Sequence, residues 1–255
     1  MKRRYFRLLP LLLIVGCSDP KNEYDIESII ETEKVYYKKF SNETVHGRIY
    51  KVIDGEKVFL GTILNGKRNG VWRDWYKNGQ IKNEITYKNG TYGGLFTTWY
   101  KNGQKEIQTN WKYNGTFYSD PKGTWTFWYE NGKKKSESFY RNGKHDSMNT
   151  EWYENGKKRI ETWYKDGIKN GSSTEWFRDG KWKSKTQWKR SKKDGLSTYW
   201  YENGQKWYEE NYKDGKLDGL TTFWYEDGQK SEERTYKNGE LISSKEWNED
   251  GSIKE

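Results

Sequence analysis

The side chains that could carry out acid–base chemistry are glutamates that recur at one place in a repeated pattern. They are Glu84, Glu137, Glu161, Glu209 and Glu233. Two carboxylates that face each other across a cleft can hydrolyse a glycosidic bond. Here the glutamates follow one another in series among many lysines, as cross-strand charge pairs do in a sheet. The pattern therefore predicts charge pairing for them, and we expect no catalytic residue.

Histidine and cysteine are too scarce for the common catalytic and metal sites. The chain has two histidines, His46 and His145, and one cysteine, Cys17. The histidines have no matching acid and nucleophile, so a catalytic triad has no support, and we expect both at surface turns. A single cysteine excludes an intrachain disulfide and leaves no Cys/His zinc cluster. We therefore expect no metal, no cofactor and no enzymatic activity.

The surroundings of Cys17 predict lipid attachment. The segment MKRRYFRLLPLLLIVGC starts with basic residues and continues with an apolar stretch that is too short to span a membrane. Its end, Ile14-Val15-Gly16-Cys17, resembles the lipobox of bacterial lipoproteins, in which the cysteine is acylated and becomes the first mature residue. We expect a signal peptide at residues 1–16 and a lipid bilayer as partner of acylated Cys17. The alternative is an ordinary buried cysteine.

This anchor predicts a location in the cell envelope, in the outer membrane if the host has two membranes. Two or three acyl chains anchor a protein stably, at about 0.8 kcal/mol for each buried CH₂ group. Removal of Lys2, Arg3, Arg4 and Arg7 with the signal peptide reduces the formal net charge from +10 to +6.

Basic and aromatic residues together can bind single-stranded nucleic acid. Export and the many interspersed acids argue against that, and we expect no nucleic-acid partner.

Beyond Phe40 the sequence repeats itself about every 24 residues, which is a length typical of repeat architectures. In each block an aromatic pair, Trp-Tyr or once Trp-Phe, precedes a charged residue and then Asn-Gly or Asp-Gly. We expect residues 17–40 to form a tether that includes the lipidated cysteine, and residues 41–255 to form the repeat array. Full blocks begin at Gly70, Gly94, Gly123, Ser147, Gly171, Gly195 and Gly219, with a degenerate first copy from Gly47 and a partial last copy from Ser243.

The Asn-Gly and Asp-Gly pairs predict that each block is a β-hairpin. Asn-Gly supplies the two positive φ angles of a type I′ turn, so we place the pair at the centre of the turn. This places Trp224 opposite Lys230 and Thr222 opposite Glu233. A second turn, Lys-Asp-Gly or Lys-Asn-Gly in most copies, leads to the next block. The predicted fold is all-β, an elongated, twisted antiparallel meander of about eight hairpins.

Because side chains alternate along a strand, the array also predicts a ladder of tryptophans. Aligned aromatic rings can stack on sugar rings or on side chains of a partner, or lie at a lipid interface. The alternative is that the ladder is the core of the array, because packing also requires recurrence in every repeat. The candidate binding residues are Trp75, Trp99, Trp128, Trp152, Trp176, Trp200 and Trp224.

The repeated pattern G-x-x-x-x-W-Y-x-N-G-(Q/K)…Y-K-N-G-x-x-x-G resembles the bacterial variant of the MORN repeat, over residues 47–255. This variant is found in proteins often named YwqK-family antitoxins of toxin–antitoxin systems. The resemblance implies binding of a toxin, whereas MORN repeats in general are associated with lipid and protein contacts at membranes. The chain departs from the pattern at Ser147 and Ser191, which replace glycine, in its first block, and in the lipobox before the array.

Together these patterns predict a membrane-anchored, non-catalytic lipoprotein that acts as a scaffold for a protein or a polymer of the envelope. An antitoxin or immunity-type protein that neutralises a toxin is the alternative, and a glycan-binding or glycan-processing protein is a third. The array is least regular at the insertion from Thr116 to Lys122 and at Ser147 and Ser191. We expect any specific site at these breaks.

Overall fold

The computed structural model describes residues 21–113 and 119–254, with no description of the side chains of residues 113 and 119. The predicted signal peptide, Cys17 and residues 116–118 of the insertion lie outside the described residues. The chain divides into two compact units, residues 1–67 and 68–255. Within the described ranges, no helix is long and apolar enough to cross a membrane.

The first unit folds around a small aliphatic core. Two of its strands, β2 and β3, form a hairpin, while β1 runs parallel to β4 and β4 pairs antiparallel with β5. Its buried apolar side chains are Ile29, Tyr36, Val45, Ile49, Leu60 and Ile63. The elements are β1 (Glu23–Asp25), a 3-10 turn (Ile26–Ser28), β2 (Ile29–Thr32), β3 (Val35–Lys38), β4 (Gly47–Ile53) and β5 (Glu56–Leu64).

Part of the segment expected to be a tether is therefore folded. Ile26 lies in the 3-10 turn, and Ile29 and Ile30 lie in β2. Burial of Ile29 and Tyr36 explains why this stretch is ordered, because apolar surface removed from water stabilises the fold.

The second unit is an antiparallel meander of hairpins, which confirms the predicted fold class. Seven hairpins follow one another in its described part: β6–β7, β8–β9, β11–β12, β14–β15, β16–β17, β18–β19 and β21–β22. The strands are β6 (Lys67–Trp75), β7 (Ile81–Lys88), β8 (Thr91–Trp99), β9 (Lys105–Tyr113), β10 (Ser119–Pro121), β11 (Gly123–Trp128), β12 (Lys134–Arg141), β13 (Lys144–His145), β14 (Ser147–Trp152), β15 (Lys158–Lys165), β16 (Ile168–Trp176), β17 (Trp182–Lys189), β18 (Lys192–Trp200), β19 (Lys206–Lys213), β20 (Lys216–Leu217), β21 (Gly219–Trp224), β22 (Lys230–Lys237) and β23 (Glu240–Glu246).

The predicted register is confirmed, but the predicted turn type is wrong for the turn within each hairpin. Trp224 lies opposite Lys230 and Thr222 opposite Glu233. In the first hairpin, however, only Gly79 has a positive φ, of 82°, while Asn78 keeps a negative one. The Gly79 amide donates to the Tyr76 carbonyl at 3.0 Å. This bond closes a turn with a left-handed glycine, and a bulge follows it.

Type I′ turns occur instead between the hairpins. Asn89 and Gly90 have φ angles of 50° and 81°, and Lys88 pairs with Thr91 across them. The same two-residue turn recurs at Asn142, Asp166, Arg190, Asp214 and Asn238 with the residue that follows each. The dipeptide is the same at both kinds of turn, so the longer loop within the hairpin, and what it contacts, decides the conformation.

Small hydroxyl side chains form much of the interior of the second unit. A residue in the middle of a strand is flanked by larger side chains on the adjacent strands, so threonine and serine are buried there. Trp72 is the buried tryptophan of its described part, at 6% exposure. The buried hydroxyl residues are Thr91, Thr97, Thr109, Thr126, Ser138, Thr150, Thr162, Ser173, Ser184, Thr186, Ser197, Thr198, Thr221 and Thr222.

Candidate functional site

Each of the seven predicted tryptophans is the last residue of the first strand of its hairpin. All seven are half-buried, so each ring is partly covered and partly accessible. A register shift occurs immediately before each of them, for example between Phe223 and Trp224. Binding through these rings stays a prediction.

Lysines of one repeat lie over the tryptophans of the next. The ammonium is 5.4–5.7 Å from the ring centroid in the four pairs Lys105–Trp128, Lys134–Trp152, Lys158–Trp176 and Lys206–Trp224. A cation over an aromatic face is attracted by the ring quadrupole. At Trp200 a second tryptophan, Trp182, replaces the lysine, and the two ring centroids are 5.5 Å apart.

The recurring glutamates pair mainly along their own strand, not across strands as we expected. Lys134–Glu137, Lys158–Glu161, Lys206–Glu209 and Lys230–Glu233 are ion pairs of residues three apart. The bulge that follows each turn adds one residue to the second strand, so residues three apart share a face there. Glu84 is the exception, because it pairs across strands with Arg73 at 2.7 Å. These carboxylates are therefore engaged in lysine and arginine contacts.

The loops after the tryptophans are tied to one another by tyrosine and asparagine. Each loop tyrosine donates its hydroxyl hydrogen to the carbonyl of the tryptophan one repeat further on. We call this set the tyrosine ladder; its bonds are Tyr76–Trp99 (2.8 Å), Tyr100–Trp128 (2.8 Å), Tyr129–Trp152 (2.7 Å), Tyr153–Trp176 (2.8 Å), Tyr201–Trp224 (2.9 Å) and Tyr225–Trp247 (2.8 Å).

The loop asparagines reinforce this arrangement. The Asn78 amide donates to the Lys101 carbonyl of the next loop at 3.0 Å, and its side-chain oxygen accepts from the Gln80 amide at 3.2 Å. Asn102, Asn131, Asn155 and Asn203 make the same contact with the following loop. Asp179 and Asp227 adopt the same conformation without an amide to donate, and they keep the bond from their side-chain oxygen to the amide two residues on, so this local bond accompanies the negative φ.

The tyrosine ladder is interrupted at residue 177, where phenylalanine occupies the tyrosine position. A cleft of about 510 Å³ lies there, which we call the Phe177 cleft. Phe177, Tyr199, Tyr201 and Trp207 supply its aromatic walls. Trp200, Lys183, Asn203, Glu202 and Glu226 also line it. Burial and then the Glu226 carboxylate raise the pKa of the Tyr201 hydroxyl.

Two tryptophans beside this break are unusually exposed. Trp207 is 47% and Trp182 57% exposed. Trp207 lies 5.7 Å from the Tyr201 ring and 4.8 Å from the Tyr208 ring, edge to face with the latter. Our sequence reasoning missed both residues. The available signal was that lysine occupies the position of Trp182 in five other full blocks and the position of Trp207 in three.

The insertion forms a second concavity, of about 420 Å³, in its described part. Lys112, Lys122 and Arg141 line it together with Asp120, so its rim is mainly basic. Of the other two predicted breaks, Ser191 takes part in the type I′ turn after Arg190, and Ser147 opens β14 with a φ of 141°.

His145 is not at a surface turn as we expected. Its ring lies in a row of six aromatic rings, with centroids 4.2 Å from Tyr140 and 5.3 Å from Tyr164, and its Nε2 is 2.7 Å from the Tyr140 hydroxyl oxygen. The row consists of Tyr92, Trp111, Trp125, Tyr140, His145 and Tyr164. His46 is exposed and lies 3.1 Å from the Asn65 side-chain oxygen. Among the described residues, no group of three His, Cys, Asp or Glu side chains could hold a metal ion.

Burial of His145 makes stability depend on pH. Desolvation lowers the pKa of His145 below its ordinary value of 6.5, so the folded state binds the proton less readily than the unfolded state. The free energy of unfolding is then unaffected by this group above the unfolded pKa. It falls as the pH decreases below that value, until the folded pKa is passed.

We expect the free energy of unfolding to fall as the pH decreases below the unfolded pKa of histidine, about 6.5, and we expect His145→Phe to flatten that fall because the ring stays aromatic but cannot take a proton. Urea unfolding at several pH values measures this. His46→Gln is the control and should retain the His145-dependent fall. An unchanged pH dependence in His145→Phe would contradict the assignment.

Comparison with known families finds the repeat in part of the array. Four segments match the MORN repeat variant. They are residues 68–89, 121–144, 193–214 and 217–238, and each covers one hairpin from two residues before its opening glycine. No curated protein matches the chain. MORN repeats are in general non-catalytic repeats that bind proteins or membranes. The Phe177 cleft adjoins the matched segment 193–214, whose Tyr199, Tyr201 and Trp207 line it.

Proposed function

We propose that the protein is a lipid-anchored, non-catalytic scaffold whose MORN repeats bind a protein or polymer of the cell envelope. The observation that carries this proposal is the regular array of hairpins, four of which match the MORN repeat variant. Each repeat presents a half-buried tryptophan, and in most repeats lysine and glutamate lie beside it at fixed spacing. Such a surface offers the same contact many times, which suits an extended partner.

The contacts of the charged residues support a binding role over catalysis. The recurring glutamates accept from lysine, threonine or arginine, as Glu209 does from Lys206 at 2.7 Å and from Thr198 at 3.1 Å. A general acid or base needs a reacting group within reach. Carboxylates that contact lysine, threonine or arginine in a repeated pattern serve the sheet instead.

The anchor rests on the sequence before the array. Ile14-Val15-Gly16-Cys17 places the sole cysteine of the chain where the lipobox requires it, after a basic and then an apolar segment. A lipid at Cys17 restricts the array to a membrane surface, where its basic net charge favours anionic partners. The proposed location is the cell envelope.

The anchor is tested by growing cells that express the full chain with an alkyne analogue of palmitate. We expect label on the protein and its recovery in the membrane fraction, and loss of both in Cys17→Ser. Ser18→Ala is the matched control, because it keeps the cysteine and changes its neighbour. Label that persists in Cys17→Ser, or a wild-type protein in the soluble fraction, would refute the anchor.

The binding role is tested by proximity labelling from a ligase fused to the carboxyl terminus of the anchored protein. We expect one reproducible set of envelope proteins or polymer-bound proteins, and its loss in Cys17→Ser. A toxin as the main labelled species, with rescue of growth when both are produced, would replace the scaffold by an antitoxin or immunity role.

A further inference from the structure

Two departures from the repeat meet in the Phe177 cleft. Phenylalanine stands at position 177, where the equivalent residues Tyr153 and Tyr201 carry a hydroxyl. Trp207 occupies a position that is lysine in three other blocks, as Lys82, Lys135 and Lys183. Packing of the array does not require either change, because hairpins β14–β15 and β21–β22 form with tyrosine at the first position and with Arg159 or Ser231 at the second.

The first departure removes a hydrogen-bond donor. In the flanking repeats a tyrosyl hydroxyl donates to the carbonyls of Trp176 and Trp224, at 2.8 and 2.9 Å. Phe177 has no hydroxyl to donate to Trp200, and both residues line the cleft. A ligand hydroxyl that takes the place of the missing one would complete the pattern that the other repeats contain.

The second departure adds an aromatic platform. Trp207 is 47% exposed, so a large part of its indole is open to a ligand. Its ring packs against Tyr201 and Tyr208, which limits the rotation of the side chain. A platform held in place in this way binds a flat apolar surface with little loss of side-chain entropy.

The polar residues of the cleft carry both signs of charge. Lys183 offers a donor, while the carboxylates of Glu202 and Glu226 offer acceptors. The two carboxylates disfavour an anionic partner, and the Lys183 ammonium, which lies 3.9 Å from Glu175, reduces the attraction of a cationic one. A neutral ring with several hydroxyls can donate to the carboxylates and accept from the lysine at once.

We propose that the Phe177 cleft binds a pyranose ring of a glycan. The apolar face of the sugar stacks on Trp207, and its hydroxyls contact Lys183, Glu202 and Glu226, with one taking the position of the missing tyrosyl hydroxyl. A cleft of about 510 Å³ lies within the range of small-ligand sites. This proposal rests on the proposed binding function and names the polymer class for one site, and it does not depend on the anchor.

The test is saturation-transfer NMR on the full chain with three neutral probes: chitotetraose, cellotetraose and maltotetraose. We expect at least one to bind with a Kd below about 10 mM, and Trp207→Lys to weaken that binding about tenfold or more. Phe177→Tyr should also weaken it, because the new hydroxyl occupies the position of the sugar hydroxyl.

Trp182→Lys is the matched control. It too replaces an exposed tryptophan by lysine, but the Trp182 ring is tilted by 52° against Trp200, and Trp182 is not among the residues that line the cleft. We expect the affinity of this variant to stay within about twofold of the wild type. Circular dichroism and urea unfolding show that each variant is folded.

Three results would overturn the proposal: binding of none of the sugars, equal loss in Trp182→Lys and Trp207→Lys, or Trp207-dependent binding of a lysine-rich peptide in place of the sugars. The last would assign the cleft to a cationic protein partner. Membrane recovery of the Cys17→Ser variant is measured separately, so failure of the anchor and failure of the sugar site are distinguishable.

Discussion

Gly171→Ala is expected to lower the free energy of unfolding by about 2–3 kcal/mol, since a side chain there must adopt a sparsely populated backbone conformation. Gly171 opens its repeat with a φ of 117°. A Cβ added to it would lie 3.0 Å from the Cβ of Trp163. Because that neighbouring atom is attached directly to the backbone, the strand itself must move to relieve the contact. Urea unfolding followed by circular dichroism measures the loss.

Ser147→Gly is the matched opposite change. Ser147 occupies the equivalent position of its repeat with a φ of 141°, where an L side chain is strained. We expect glycine to raise the free energy of unfolding by up to about 1 kcal/mol, as relief of backbone strain exceeds the greater entropy of the unfolded chain. Equal effects of the two variants, in sign and size, would mean that the opening backbone conformation does not limit stability.

Thr221→Val is expected to stabilise the protein by about 1 kcal/mol. The Thr221 side chain is 1% exposed, and its hydroxyl has no hydrogen-bond partner among the described residues. Burying a hydroxyl without a partner costs free energy, while valine fills nearly the same volume without that cost. The midpoint and slope of urea unfolding measure the gain.

Thr162→Val is the control with the same chemical change and the opposite expectation. The Thr162 hydroxyl is 2.8 Å from the Ser173 hydroxyl, and both residues are buried. Removing one partner leaves the other unsatisfied, so we expect a loss of about 1–3 kcal/mol. If both valine variants were stabilising, the hydroxyl interior of the second unit would contribute nothing through its hydrogen bonds.

Because the same substitution is expected to stabilise one repeat and destabilise another, the repeats of the sheet differ in stability. Most repeats combine the tyrosine ladder with lysines over tryptophans, which links each hairpin to the following one. At Phe177 the hydroxyl is absent, and at Trp200 the covering lysine is replaced by Trp182. The array is therefore chemically most distinctive where the Phe177 cleft lies. We expect specific recognition of a ligand at this departure, because the contacts that recur in every repeat do not distinguish one repeat from another.

The amino-acid sequence by itself determined the repeat period, the hairpins and their register. Alternation along a strand and glycine-containing turns are local properties, so the pairing of Thr222 with Glu233 follows from one block alone. The four matches to the MORN repeat variant depend on the same local pattern.

The tertiary structure decided the features that depend on contacts between blocks. The Asn78 amide donates to the Lys101 carbonyl and so joins two successive repeats, which no single block contains. Burial of His145 between Tyr140 and Tyr164 likewise requires two hairpins. The Phe177 cleft brings together residues from three successive blocks. None of these contacts is encoded within one repeat, because each joins residues that only stacking of the hairpins brings close.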